Sequence, residues 1–200
     1  MTTISSEDVK KLRAETGVGM MDCKKALQDA GGDFARARQI LREQGLELMG
    51  QQGREASEGR IECYAHHNGK LGVMVEVVSN TDFAAKSADF VQFTKDLAMH
   101  IAASSPRYIA QEDVPAADLE QEREVYRKQL EKEGKPAHII EKAVEGRLNR
   151  FYEENCLLKQ AFAKDPTVRI EGLLADLRTK TGENVQIKRF ARYEVGAGKA

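Results

Sequence analysis

Cys63, His66 and His67 fall within a single five-residue stretch and bring a thiol and two imidazoles together. Such a group could ligate a metal or form a thiolate–imidazole pair. Two features argue against both. Residues three apart on a strand point to opposite faces, and a zinc site takes about four ligands, whereas no second ligand pair occurs elsewhere. Cys63 is therefore expected in the core as a small hydrophobe, and neither a metal nor a cofactor is expected. Gly17-Val18-Gly19 carries half of a dinucleotide fingerprint. It lacks the third glycine, follows no strand pattern and has no Lys-Ser/Thr of a phosphate loop, so it reads as a tight interhelical turn. No nucleophile–base pair and no supported pair of carboxylates is found. The chain is not expected to be an enzyme.

Two other stretches suit contact rather than catalysis. Met20 and Met21 follow the glycine turn, and adjacent helical residues point about 100° apart, so both cannot face one small core. An outward methionine would make an adaptable docking surface; plain core packing is the alternative. Asn80-Thr81-Asp82-Phe83 lies where a strand pattern passes into a helical one. Thr81 or Asp82 could cap that helix, and Phe83 could pack beneath it or stand free.

These residues are positioned by elements legible from periodicity and punctuation. Residues 1–50 read as three short helices. Ser6 caps the first, which ends near Gly17. The second runs from about Met21 to Ala30, with Cys23, Ala26 and Leu27 on one face, and stops at Gly31-Gly32. Asp33 caps the third, which carries Phe34, Ala37, Ile40 and Leu41 and ends at Gly45. A linker is expected over about 46–58. The period then changes to two: Ile61, Cys63 and Ala65 alternate with polar neighbours, and Leu71, Val73, Val75 and Val77 do the same after Asn68-Gly69, a pair that favours a type I′ turn. Helices follow over about Ala88–Ala103 and Asp118–Glu133, then one beyond Gly134-Lys135-Pro136, and another from Ile170 to Lys180. A final strand, Asn184–Val195, places Val185, Ile187, Ala191, Tyr193 and Val195 on one side and could join the hairpin. The expected class is α+β, with a small antiparallel three-stranded sheet covered by helices.

The chain has 200 residues, 41% hydrophobic and 32% charged, with a net charge of -1. A dedicated nucleic-acid binder shows a basic excess or stripe; neither is present, so no direct nucleic-acid partner is expected. No apolar run reaches the roughly 20 residues needed to span a bilayer, and the N-terminus lacks a signal-peptide pattern. A cytoplasmic protein without a membrane partner is expected. Three widely spaced cysteines, Cys23, Cys63 and Cys156, are no disulfide framework.

Residues 9–27, VKKLRAETGVGMMDCKKAL, resemble the N-terminal signature of the elongation factor Ts family, and Thr81-Asp82-Phe83-Ala84-Ala85 is similar to its second signature, T-D-F-V-A. Tyr64-Ala65-His66, Asp96–Ala103 and Arg189–Gly196 also match, so the resemblance covers essentially the whole chain. It implies a ubiquitin-associated-like three-helix domain over 1–50 and a core (dimerisation) domain over 55–200. Longer members carry two core units and a helical hairpin insertion; this chain has room for one unit, as in the short form. The resemblance also implies a partner, the GTPase elongation factor Tu, in its GDP-bound and nucleotide-free forms. Asp82 and Phe83 would wedge in near the partner's Mg²⁺ site and promote GDP release. Thr81, Ala84, His66, Met20 and Met21 would complete the contact surface, His66 more weakly. Ala84 stands where the family has Val, which leaves the Asp-Phe pair intact but alters its support. A non-covalent homodimer through the C-terminal strand is expected, because a single small sheet leaves edges to cover and that strand contains no cysteine. Two rival classes remain on the residues alone. A ubiquitin-like binding adaptor would explain the first domain but not the TDF turn, and a thiol enzyme using Cys63 and His66 would need a reactive low-pKa thiolate.

Overall fold

The structure, a computed structural model, describes residues 4–50 and 56–197. They form two compact units: one comprises the chain up to Met99 together with residues from Glu171 onward, the other His100–Ile170.

The first unit opens with three helices, α1 (Ser6–Thr16), α2 (Met20–Asp29) and α3 (Phe34–Gly50). Ser5, one residue before the expected cap, closes a capping box with Asp8. Gly17 ends α1 in the left-handed conformation, with φ +72°. Asp33 Oδ1 accepts from the N–H groups of Ala35 and Arg36 and starts α3 as expected. Val9, Leu12, Val18, Cys23, Ala26, Leu27, Ala37 and Leu41 bury one shared core, with Phe34 and Ile40 at its margin. Gly45 does not end α3. A glycine costs a helix only about 1 kcal/mol against alanine, and the Leu-Glu-Leu-Met that follows is a run of good helix formers. The linker expected over 46–58 is thus helical at its start and strand at its end, since a strand begins at Glu58; residues 51–55 lie outside the described residues.

Strands β1 (Glu58–Ala65) and β2 (Leu71–Ser79) form the expected hairpin, and β5 (Gln186–Glu194) adds to β2, giving an antiparallel order β1-β2-β5. The turn differs from the type I′ expectation. His67 and Asn68 are its central residues, closed by Gly69 N–H donating to His66 O, and only Gly69 takes positive φ. On β2, Val73, Val75 and Val77 are buried as read. On β1 the phase is reversed: Glu62 and Tyr64 pair with Val75 and Val73, so Ile61, Cys63 and Ala65 face outward. Cys63 is exposed rather than in the core. Either alternation on β1 is partly apolar, and the register against the buried valines of β2 puts Glu62 and Tyr64 on the covered side; α4 (Asp82–Lys86) packs near both strands. The last strand is corrected too. Val77 pairs with Ile187 but Glu76 with Arg189, leaving Lys188 as an extra residue in a bulge. Ile187 therefore faces the core while Ala191 and Tyr193 lie on the other face; they do not share one side.

Helices α5 (Ala88–Ser104) and α8 (Ile170–Thr181) complete the cover, with Phe90, Phe93, Leu97 and Leu174 buried. The three-helix bundle leans on α8: Arg42 pairs with Asp176, and Thr179 Oγ1 donates to Leu41 O at 2.9 Å.

The second unit holds a helical hairpin of α6 (Ala116–Lys132) and α7 (Ala137–Asn155), turned by Gly134 at φ +73°. A hairpin is therefore present even in this short form. Leu130, Ile140, Val144 and Leu148 are buried between its helices, and Arg127–Glu141 and Arg147–Glu133 ion pairs lace its surface. A short ribbon, β3 (Ala161–Phe162) with β4 (Asp165–Arg169), gave no sequence signal. No helix among the described residues is long and apolar enough to cross a membrane.

Candidate functional site

The turn after β2 is built by hydrogen bonds from both sides. Thr81 is the N-cap of α4, its Oγ1 accepting from Ala84 N–H at 3.3 Å. Ser79, fully buried, donates its hydroxyl to Thr81 O at 3.0 Å. Beyond Gly182, which ends α8 with φ +68°, the chain turns back toward this site. Asn184 N–H donates to Asn80 Oδ1 at 2.8 Å, and Glu183 accepts both the N–H (3.0 Å) and the hydroxyl (2.5 Å) of Thr81. Arg178, buried, donates from Nε to Val185 O at 2.7 Å and fixes the base of this loop; burial pulls its guanidinium down to about 10.

The turn presents Asp82 and Phe83. Asp82 lies in the first turn of α4, paired with Lys86 one turn later. Phe83 is 90% exposed, the highest value among the large apolar side chains described. Ala84 and Ala85 are buried and seat the helix against the strands. An exposed phenyl ring forgoes stabilisation of about 1.5–3 kcal/mol, so a turn that holds it out so firmly is suited to contact with another molecule.

The other expected contact residues lie on separate elements. Met20 and Met21 begin α2 and are both exposed, 37% and 74%, so neither lies in the bundle core. His66 sits at the hairpin turn, its Nδ1 2.9 Å from Tyr64 Oη, and its ring lies 4.2 Å from that of His67, tilted by 53°. The structure thus brings Thr81, Asp82, Phe83 and Ala84 together on one turn and places His66, Met20 and Met21 elsewhere. Glu183 and Asn184 were missed by sequence reasoning: Glu183 lies 102 residues from Thr81, and nothing in its neighbours marks it.

The thiols offer no paired nucleophile. Burial raises Cys23 and pushes Cys156 up to about 11. Cys63 is exposed opposite Met74, on the outer sheet face. Among the described residues no three His, Cys, Asp or Glu side chains converge as metal ligands.

Comparison with known proteins agrees with the signatures. A family model described as Elongation factor TS matches residues 33–197. Elongation factor Ts of Fervidobacterium nodosum is 50% identical over 194 residues, 96% of this chain and 98% of that one. That of Alkaliphilus oremlandii is 53% identical over 196 residues, 98% of this chain and 90% of the relative. That of Herpetosiphon aurantiacus is 50% identical over 196 residues, 98% and 99% of the two chains. With most of its length matched by the model and relatives at half identity from end to end, this chain belongs to the elongation factor Ts family of translation elongation factors.

Proposed function

We propose that this protein is a cytoplasmic guanine-nucleotide exchange factor for elongation factor Tu. It binds the GDP form, disturbs the groups that hold Mg²⁺ and phosphate through the Asp82–Phe83 turn, and stays on the nucleotide-free GTPase until GTP arrives. The observation that carries this reading is Phe83, 90% exposed on a turn fixed from two sides. Membership of the family supplies the partner.

The mechanism is linkage rather than covalent chemistry, so the protein is not an enzyme in the bond-making sense. A factor that binds the empty GTPase more tightly than its GDP form must weaken GDP by the same ratio. Each tenfold of weakening requires about 1.4 kcal/mol of differential binding. Burying the Phe83 ring in the partner would contribute about 1.5–3 kcal/mol, a decade or two. The Asp82 carboxylate brings negative charge toward the metal site. Met20 and Met21 dock the three-helix domain, residues 1–50, as an anchor for the core domain, residues 55–200, and His66 adds a lesser contact.

A non-covalent homodimer belongs to the same reading. The outer sheet face presents Ile61, Met74, Tyr193 and Val195, 55%, 51%, 77% and 72% exposed, and a second copy would cover them through β5. The test of function is release of a fluorescent GDP analogue from purified elongation factor Tu. Catalytic amounts of this protein should accelerate it many-fold; an unchanged rate would refute the proposal.

A further inference from the structure

The helix that carries Asp82 and Phe83 is five residues long. A helix that short cannot hold itself, because nucleation fixes several residues for almost no internal hydrogen bonds. Its orientation must come from its cap and from the seating of Ala84 and Ala85 against the strands. Thr81 is that cap, and its hydroxyl does two jobs: Oγ1 accepts from Ala84 N–H and donates to Glu183. A hydroxyl has one proton and two lone pairs. With Glu183 taking the proton, a lone pair is left pointing at Ala84. The same carboxylate also accepts Thr81 N–H, so both donors of the cap residue end on one side chain. That side chain is anchored in turn, between Gly182 at φ +68° and Val185, whose carbonyl holds the buried Arg178.

From this geometry we infer that Glu183 is a positioning residue for exchange: it orients Thr81, and through Thr81 sets the direction in which Asp82 and Phe83 leave the surface. The inference rests on the proposed role of the Asp82–Phe83 turn. Glu183 itself need not touch the GTPase. By the same linkage it acts both on the rate at which bound GDP is expelled and on the affinity for the nucleotide-free GTPase, through Phe83.

The test is a double-mutant cycle read by stimulated release of a fluorescent GDP analogue from elongation factor Tu, with affinity for the nucleotide-free GTPase measured separately. Glu183→Ala should lower the rate at saturating factor by about three- to tenfold, the scale of losing charge-assisted hydrogen bonds. Its affinity for the nucleotide-free GTPase should fall by no more than the same factor. Glu183→Gln keeps one acceptor oxygen in place and should recover part of the rate. In a Phe83→Ala background, Glu183→Ala should cost nothing further, because the residue it positions is already gone. Circular dichroism and melting establish that each variant is folded; should Glu183→Ala melt early, the isosteric Glu183→Gln carries the cycle. Independent, multiplying losses would overturn the inference, as would a Glu183→Ala rate equal to wild type beside a slow Phe83→Ala. A Phe83→Ala rate equal to wild type would instead overturn the reading of the turn itself.

Discussion

Phe83 and Phe90 stand seven residues apart and experience opposite environments. Phe90, in the first turn of α5, is fully buried; Phe83, on the capped turn before it, is 90% exposed. The two rings carry the same apolar surface, so the difference lies in what surrounds each. Phe90 contributes its burial to the fold. Phe83 forgoes about 1.5–3 kcal/mol, while Ser79, Thr81, Asn184 and Glu183 hold its backbone in place.

The largest effect that sharpens this contrast is on stability. Phe90→Ala should cost about 3–5 kcal/mol, transfer plus cavity. That is a large fraction of a total of about 5–15 kcal/mol, and chemical denaturation would read it directly. Phe83→Ala should stay within about 0.5 kcal/mol of wild type. Equal losses at both sites would break the contrast.

Next comes the three-helix domain, which pairs its own buried core with outward Met21. Deleting residues 1–50 should weaken binding to the GTPase by about tenfold or more, on the scale of one buried methionine. The core should keep its sheet by circular dichroism. Loss of the Arg42–Asp176 and Thr179–Leu41 contacts should lower its melting temperature modestly. Full affinity in the truncated protein would contradict the docking role of Met20 and Met21.

Tyr193, a second exposed aromatic, extends the comparison to the sheet. If exposed apolar side chains here mark interfaces, Tyr193→Asp should shift the homodimer toward monomer by at least several-fold in dissociation constant. Light scattering across a concentration series reads this, and a wild-type mass that stays near 22.3 kDa at high micromolar protein removes the dimer altogether. Because Cys63 lies on that same outer face, Cys63→Ser is the control for adventitious crosslinking.

The smallest effect is a pH dependence. Burial pulls His100 below its ordinary 6.5, opposed by its bond to Gln160 at 3.0 Å. The folded protein therefore keeps this imidazole neutral where the unfolded chain protonates. The stability it contributes is present above about pH 6.5 and is lost as pH falls from there toward the depressed folded value. Denaturation at pH 7.5 and 5.5 should show the decline, and His100→Gln should flatten it.

Much of the frame was legible because it is local. Gly17, Gly31-Gly32 and Asp33 announce the corners of the bundle within two or three residues of where they act, and the valines of β2 declare their face by alternation. What was not legible depends on distant chain. Nothing in Ile61–Ala65 says which side will face the buried valines' side of the sheet, and nothing before Lys188 announces a bulge that reverses the strand's faces. The candidate site divides the same way. Asp82-Phe83 is read from its signature, but the carboxylate that grips Thr81 arrives from a loop 102 residues later.

The account stands most directly on Phe83. In stopped-flow release of a fluorescent GDP analogue from elongation factor Tu, Phe83→Ala, with an unchanged melting curve, should stimulate release at least several-fold more slowly than wild type at saturating concentration. A correctly folded Phe83→Ala that releases GDP at the wild-type rate would contradict it.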